Sequence, residues 1–356
     1  MSSNKQPGRI GNSAETFLTD RRADPRLVAV FKEMDALGDG IESVGLDASY
    51  EECLAYCRAF EDASAAMHPM LEQMMPAYDT VISSTEVIKG IDGNDISLYL
   101  HMPEKQTEPG PCIVHTHGGG MVLMTAADPG FVRWRNDIAA AGVRVVGVEF
   151  RNGGGRLGDH PFPAGLNDCA SAVNWVYENR KRLGISSIVI SGESGGGNLS
   201  IATTIKAKQE GWLEQINGVY AMCPYISGAY AEPPGELVSL EENNGYQMDC
   251  EMMATMVKVY DPEDVNSTNV LAWPYQASIE DLQGLPPHII SVNELDPLRD
   301  EGLEFYRKLM AAGVTALART VHGTPHAGDL MMPDITPDLY NQSLNSLCEF
   351  ARSFDI

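Results

Sequence analysis

The spacing of apolar positions along the chain changes once. Over residues 26 to 36 and 49 to 75 they recur at helical intervals, as in Leu27, Val30, Phe31 and Met34, then Leu54, Tyr56, Cys57 and Phe60. The first quarter is therefore expected to be helical. From about residue 80 the pattern shifts to short β-rich runs at about 80–90, 94–103, 111–116, 144–150, 187–192, 216–223, 287–295 and 315–322. The first two flank the turn-like IDGND and predict an antiparallel hairpin. Helix-period segments near 131–141, 166–183, 196–210 and 299–312 separate the later runs.

Alternation of strand and helix predicts a mostly parallel sheet of eight strands covered by helices on both faces, an α/β architecture. PCIVHTH, RVVGVEF, SIVISGE and PHIISVNELD are nearly unbroken apolar runs, as expected of strands buried on both faces. Chemistry in such a sheet belongs just past the carboxyl ends of the strands. Between Cys223 and His288 lie more than sixty residues rich in Glu, Asn, Met and Pro. That is too long for a plain connection and predicts an inserted element or lid. The expected organisation is a helical cap segment over 1–76, a first core part over 77–225, an inserted cap or lid over 226–280 and a second core part over 281–356.

Composition removes several functions. With 356 residues, 44% hydrophobic and 21% charged, the chain has the balance of a globular protein, and no apolar run of eighteen residues could span a bilayer. A net charge of -24 opposes binding to nucleic acid, which needs clustered Lys and Arg. The seven cysteines form no CxxC pair and are odd in number, so neither a disulfide framework nor a zinc site is indicated. Cys53 and Cys57, one helical turn apart, are read as packing. The opening MSSNKQPGRIGNSAETF has no apolar stretch behind its positive charges and does not read as a secretory signal. A disordered or loosely packed lead-in and a reducing cytoplasm are the expectations.

The densest chemical signal is SIVISGESGGGNLS, where a β-branched strand runs through Gly192-Glu193-Ser194-Gly195-Gly196 into a helix. A turn of this kind strains its central residue, exposes the hydroxyl at a helix N-terminus and requires small neighbours. Ser194 is thus the candidate nucleophile. A phosphate-gripping turn is the rival reading, but the lysine a P-loop needs is missing. His117-Gly118-Gly119-Gly120 follows an earlier strand, and without side chains its amides can approach a developing oxyanion. A serine hydroxyl needs a base, and the base a carboxylate. Asp296, ahead of Pro297, is preferred as the acid over Glu294, expected inside the strand, and Asp300, expected in the first turn of the next helix. His326, in the loop beyond Gly323 and Pro325, is preferred as the base over His322, expected to belong to the last strand.

HTHGGGM, FRNGGG followed by HPFPAGLNDC, GESGGGNL and NELDPLRDEG, in that order, resemble the hormone-sensitive lipase family of α/β-hydrolases across about residues 80 to 330. The resemblance implies the α/β-hydrolase fold, a triad of Ser194, Asp296 and His326, oxyanion donors from the backbones of Gly119, Gly120 and Gly195, and a helical cap built from the N-terminal segment and an insertion. The chain departs from the family's usual pattern at Glu193 and Gly195 in the elbow, and at Ala327 and Gly328 after the histidine. The HPFP stretch is read as structural, and the tryptophans as packing. The Met-rich segments, Met252 and Met253 among them, are candidates to line an acyl or alcohol pocket.

The implied activity is hydrolysis of short to medium acyl esters or lactones through an acyl-enzyme, with no cofactor and no metal. The expected partner is a small-molecule ester or lactone; a homodimer is compatible with the reading. Two other functions stay open on sequence alone: a non-catalytic, receptor-like member of the fold, and an amidase or peptidase using the same triad.

Overall fold

The computed structural model describes residues 6–36, 41, 43–105 and 108–355. Its centre is an eight-stranded sheet: β1 (Val81–Lys89), β2 (Asp95–Pro103), β3 (Gly110–Thr116), β4 (Arg144–Val148), β5 (Ile185–Glu193), β6 (Gly218–Met222), β7 (His288–Asn293) and β8 (Ala316–Val321). The spatial order is β1-β2-β4-β3-β5-β6-β7-β8. β1 pairs antiparallel with β2, and β2 with β4; every other pair is parallel. All eight expected strands are present, the first two as the expected hairpin.

Twelve α-helices are assigned among the described residues: α1 (Gly8–Gly11), α2 (Pro25–Ala36), α3 (Tyr50–Ala65), α4 (His68–Gln73), α5 (Pro129–Ala140), α6 (Ala164–Leu183), α7 (Gly195–Glu210), α8 (Ser239–Glu242), α9 (Cys250–Tyr260), α10 (Ile279–Leu282), α11 (Arg299–Ala311) and α12 (Pro337–Arg352). The period-2 pleat sorts the central strands into two cores. Ile113, Val145 and Val189 face one side with Trp134 and Ile138 of α5 and Leu344 and Leu347 of α12. Val114, Val146 and Ile190 face the other with Leu166 of α6 and Leu199 of α7. Burial on both sides explains why these strands read as unbroken apolar runs. Strand order reverses between β3 and β5, so their carboxyl ends open a crevice where α/β sheets commonly bind ligands.

Two features differ from expectation. The N-terminal lead-in is anchored at its end, while residues 6–16 are exposed or half-buried: Phe17 is buried with Leu27, Tyr246 and Leu295, and its ring meets Phe31 edge-on at 5.3 Å. Asp20, also buried, accepts hydrogen bonds from Arg22 and from the Tyr246 hydroxyl at 3.0 Å. Residues 1–5 lie outside the described residues. The second feature is α12, unforeseen although Tyr340, Leu344, Leu347 and Ala351 carry a helical apolar stripe that is buried.

Helix α3 begins with a reciprocal cap: Ser49 Oγ accepts from the Glu52 amide at 3.2 Å, and Glu52 Oε2 accepts from the Ser49 amide at 2.7 Å. It packs on α9 from the long β6–β7 connection. Its buried Glu61 accepts from the Met124 amide at 2.7 Å and the Arg156 amide at 2.6 Å, tying the N-terminal region to the loops after β3 and β4.

Candidate active site

Ser194 occupies the turn between β5 and α7 with φ 56° and ψ −118°. Neighbouring backbone holds it in this strained conformation: its amide donates to Met222 O at 2.9 Å, and its carbonyl accepts from the amides of Asn198 and Tyr225, each at 3.1 Å. The glycines around it are steric necessities. A Cβ on Gly192 would lie 2.3 Å from Thr116 O, and one on Gly196 1.9 Å from the same atom. The Ser194 hydroxyl makes no hydrogen bond among the described residues, and the residue is 8% exposed.

The glycine loop after β3 meets this elbow. A Cβ on Gly195 would come within 2.7 Å of Gly120 N and 2.5 Å of Met121 N, so only a bare backbone permits the approach. Among the described residues the amides of Gly119, Gly120 and Gly195 donate to no other group. The loop is anchored by Glu193, whose Oε1 accepts from the Gly118 amide at 2.9 Å and whose Oε2 lies 3.0 Å from His115 Nε2. The carboxylate that departs from the family pattern is thus a strut between elbow and loop. His117 is a packing residue: its ring stacks on Phe150 with centroids 4.2 Å apart, and burial pushes its pKa down to about 3. Above the loop, a Cβ on Gly120 would lie 2.6 Å from Sδ of Met256 in α9.

Asp296 and His326 are brought together from separate strand ends. His326 Nδ1 lies 2.8 Å from Asp296 Oδ2. A carboxylate can only accept, so Nδ1 carries the proton and Nε2 keeps its lone pair. Asp296 is fully buried, with Oδ1 accepting from the Leu298 amide at 2.9 Å. Burial disfavours a charged imidazole, yet the adjacent Asp296 carboxylate and the Cys223 sulphur outweigh it and lift His326 well above the ordinary histidine value of 6.5.

The loop bearing His326 is fixed by residues the sequence reading passed over. Asn293 donates to Thr324 Oγ1 at 2.7 Å and to Asp329 Oδ1 at 2.8 Å, and its own oxygen accepts from the Ala327 amide at 3.2 Å. Asp329 also holds Ser343 of α12. Nothing in the local sequence marks this network, because its members come from three separate segments.

The rival residues have other occupations. Glu294 and His322 each lie one position past their strands rather than inside them, since pairing ends at Asn293 and Val321. There Glu294 Oε2 accepts from the Gly323 amide at 2.9 Å and sits 3.1 Å from His322 Nδ1, while the His322 side chain is 78% exposed. Asp300 accepts from the Ser239 amide at 2.8 Å and from Arg299 Nε at 2.8 Å in the first turn of α11. Met252 and Met253 are buried in the larger core.

A family profile described as alpha/beta hydrolase fold matches residues 113–329. The chain belongs to that family. The solved structure of brefeldin A esterase, described as a bacterial homologue of human hormone sensitive lipase, superposes with a TM-score of 0.94 at 41% identity over 98% of this chain and 99% of that one. An arylesterase of Saccharolobus solfataricus is 27% identical over 276 residues, covering 75% of this chain and 84% of the relative. Carboxylesterase NlhH of Mycobacterium tuberculosis is 31% identical over 233 residues, covering 64% and 69%. These relationships put the chain in the hormone-sensitive-lipase-like branch of the α/β-hydrolases and among the carboxylic ester hydrolases. Among the described residues no helix is long and apolar enough to cross a membrane.

Proposed function

We propose that this protein is a serine carboxylesterase that hydrolyses short to medium acyl esters or lactones through an acyl-enzyme on Ser194. The observation that carries the reading is the buried Asp296–His326 pair, joined at 2.8 Å, in a protein whose elbow strains a serine at φ 56°. In the first half-reaction Ser194 Oγ attacks the ester carbonyl carbon and its proton passes to His326 Nε2. The imidazolium so formed is stabilised by Asp296, while the amides of Gly119, Gly120 and Gly195 donate to the carbonyl oxygen as it becomes an oxyanion. Collapse of the tetrahedral adduct breaks the bond to the alcohol, which leaves with the proton from His326. Water then repeats the sequence on the acyl-enzyme and frees the acid. In a lactone the leaving alcohol stays tethered to the acyl group.

The helices α2–α4 and the segment with α8 and α9 form the cap in this reading, and Met256 beside Gly120 bounds the acyl side of the cleft. A receptor-like role has no use for a base aligned by a buried carboxylate, so hydrolysis is the reading the geometry favours. The test is turnover of a chromogenic short-chain ester by the parent and by Ser194→Ala. The substitution should lower kcat by roughly 10^4-fold or more; equal rates would overturn the assignment. A matched amide, expected to turn over far more slowly than the ester, separates esterase from amidase.

A further inference from the structure

Beside the histidine–aspartate pair lies a third ligand-type side chain that the hydrolytic mechanism does not use. Cys223 directly follows β6, next to the ends of β7 and β8 that lead to Asp296 and His326. Its Sγ, a ring nitrogen of His326 and a carboxylate oxygen of Asp296 all lie within 4.8 Å of one another. Cys223 is 2% exposed, and its amide is fixed to Ser291 O at 2.7 Å. Among the described residues no other group of three or more His, Cys, Asp and Glu side chains has this spacing.

In a tetrahedral zinc site, metal–sulphur bonds of about 2.3 Å and metal–nitrogen or –oxygen bonds of about 2.0 Å put ligand atoms roughly 3.3–3.8 Å apart. Drawing Sγ in by up to about 1 Å and easing His326 Nδ1 and the Asp296 oxygen apart from 2.8 Å, both within reach of side-chain rotation, would bring the three atoms to that spacing. Thiolate, imidazole and carboxylate together match a borderline-soft divalent ion such as Zn2+ or Cd2+ and discriminate against Mg2+, which prefers an all-oxygen octahedral shell. Their two negative charges would neutralise the ion, and a water could complete the tetrahedron.

We propose that Cys223, His326 and Asp296 form an inhibitory site for a thiophilic divalent cation. Binding forms one bond each to Sγ, Nδ1 of His326 and a carboxylate oxygen of Asp296, shifts the Nδ1 proton to Nε2 and releases the thiol proton to solvent. No electron is transferred. With Nδ1 on the metal and Nε2 carrying the proton, the imidazole cannot accept the proton of Ser194, so the occupied enzyme is inactive and a chelator restores it. The effect on activity rests on the catalytic reading above; the binding itself does not.

Two measurements test the proposal on the full chain. In the first, Zn2+ is titrated against turnover of a short-chain chromogenic ester by the parent, Cys223→Ala and Cys223→Ser, each scored as a fraction of its own metal-free rate. Inhibition of the parent should be reversed by EDTA and absent with Mg2+, and both variants should need roughly tenfold more Zn2+ or greater. In the second, Cd2+ is added and its thiolate charge-transfer absorbance in the ultraviolet is recorded. The component due to Cys223 should vanish in both Cys223 variants and persist in Ser194→Ala. Equal zinc sensitivity of parent and variants, or a cadmium spectrum indifferent to Cys223, would overturn the site. If Ser194→Ala kept both esterase activity and the cadmium signal, the nucleophile assignment would fail while the metal site stood.

Discussion

Replacing Glu193 separates the elbow from the glycine loop after β3 without touching any group proposed to react. Its carboxylate accepts from the Gly118 amide at 2.9 Å and lies 3.0 Å from His115 Nε2, with the residue 6% exposed. Glu193→Ala would leave a buried amide and a buried ring nitrogen without partners. Hydrogen bonds to a charged group contribute about 1.5–3 kcal/mol each, so the loss should be about 3–6 kcal/mol. At about 2 °C per kcal/mol for a chain of this size, Tm should fall by about 6–12 °C. The amide of Gly118 also fixes the entry to Gly119 and Gly120. Losing one oxyanion donor outright costs about 10^2–10^3 in kcat; a loosened loop should forfeit part of that, roughly 10–100-fold, with KM little changed. Glu193→Gln keeps an oxygen for Gly118 and can donate to His115 in its other tautomer, so most of the loss should be recovered. The assays are thermal unfolding and steady-state kinetics on a short-chain ester. If Glu193→Ala kept the parent's kcat and Tm, the strut would be incidental.

The pH dependence carries two further predictions. His326 must be neutral to act as a base, and its pKa is raised well above 6.5 by Asp296, so kcat/KM should climb with pH along an acid limb whose midpoint lies above that value. Asp296→Asn should lower kcat by roughly 10^3–10^4-fold and move the limb downward, because only the Cys223 sulphur then opposes burial; an acid limb at or below 6 in the parent would contradict the assigned pair. Burial pushes Glu301 up to about 7, against hydrogen bonds from Ile226, Ser227 and Tyr230 that favour its anion. A carboxyl raised from 4.5 contributes stability that is present below that pH and lost as pH rises through about 7. Glu301→Gln removes this dependence, so the variant should gain on the parent by up to about 3 kcal/mol between pH 4.5 and 8 in denaturant unfolding. A gap that does not widen with pH would refute it.

What could be read from the sequence was governed by short-range regularity. Unbroken apolar runs marked the central strands because burial on both sides demands them, β-rich composition marked the largely exposed edge strand β1, and the glycines at 192, 195 and 196 are forced by contacts closer than 3 Å. Asp296 and His326 were legible through their position after strand ends, although the strands stop earlier than the apolar runs suggested. The contacts that stiffen the site were not legible. Glu193 to Gly118, Glu61 to Met124, and Asn293 to Asp329 join residues 75, 63 and 36 positions apart, and nothing local announces such partners. Phe17 illustrates the same limit: its polar, glycine-containing surroundings suggested a loose lead-in, but its environment is set by Tyr246 and Leu295.

The account depends most on Ser194 being the atom that becomes acylated. A phosphonate ester that reacts covalently with activated serines, followed by proteolysis and mass spectrometry, reads this directly. One equivalent of adduct should appear on the peptide containing Gly192 to Gly197, with activity lost in proportion, and none should form in Ser194→Ala. An adduct on any other residue, or full activity after stoichiometric labelling of Ser194, would contradict the account.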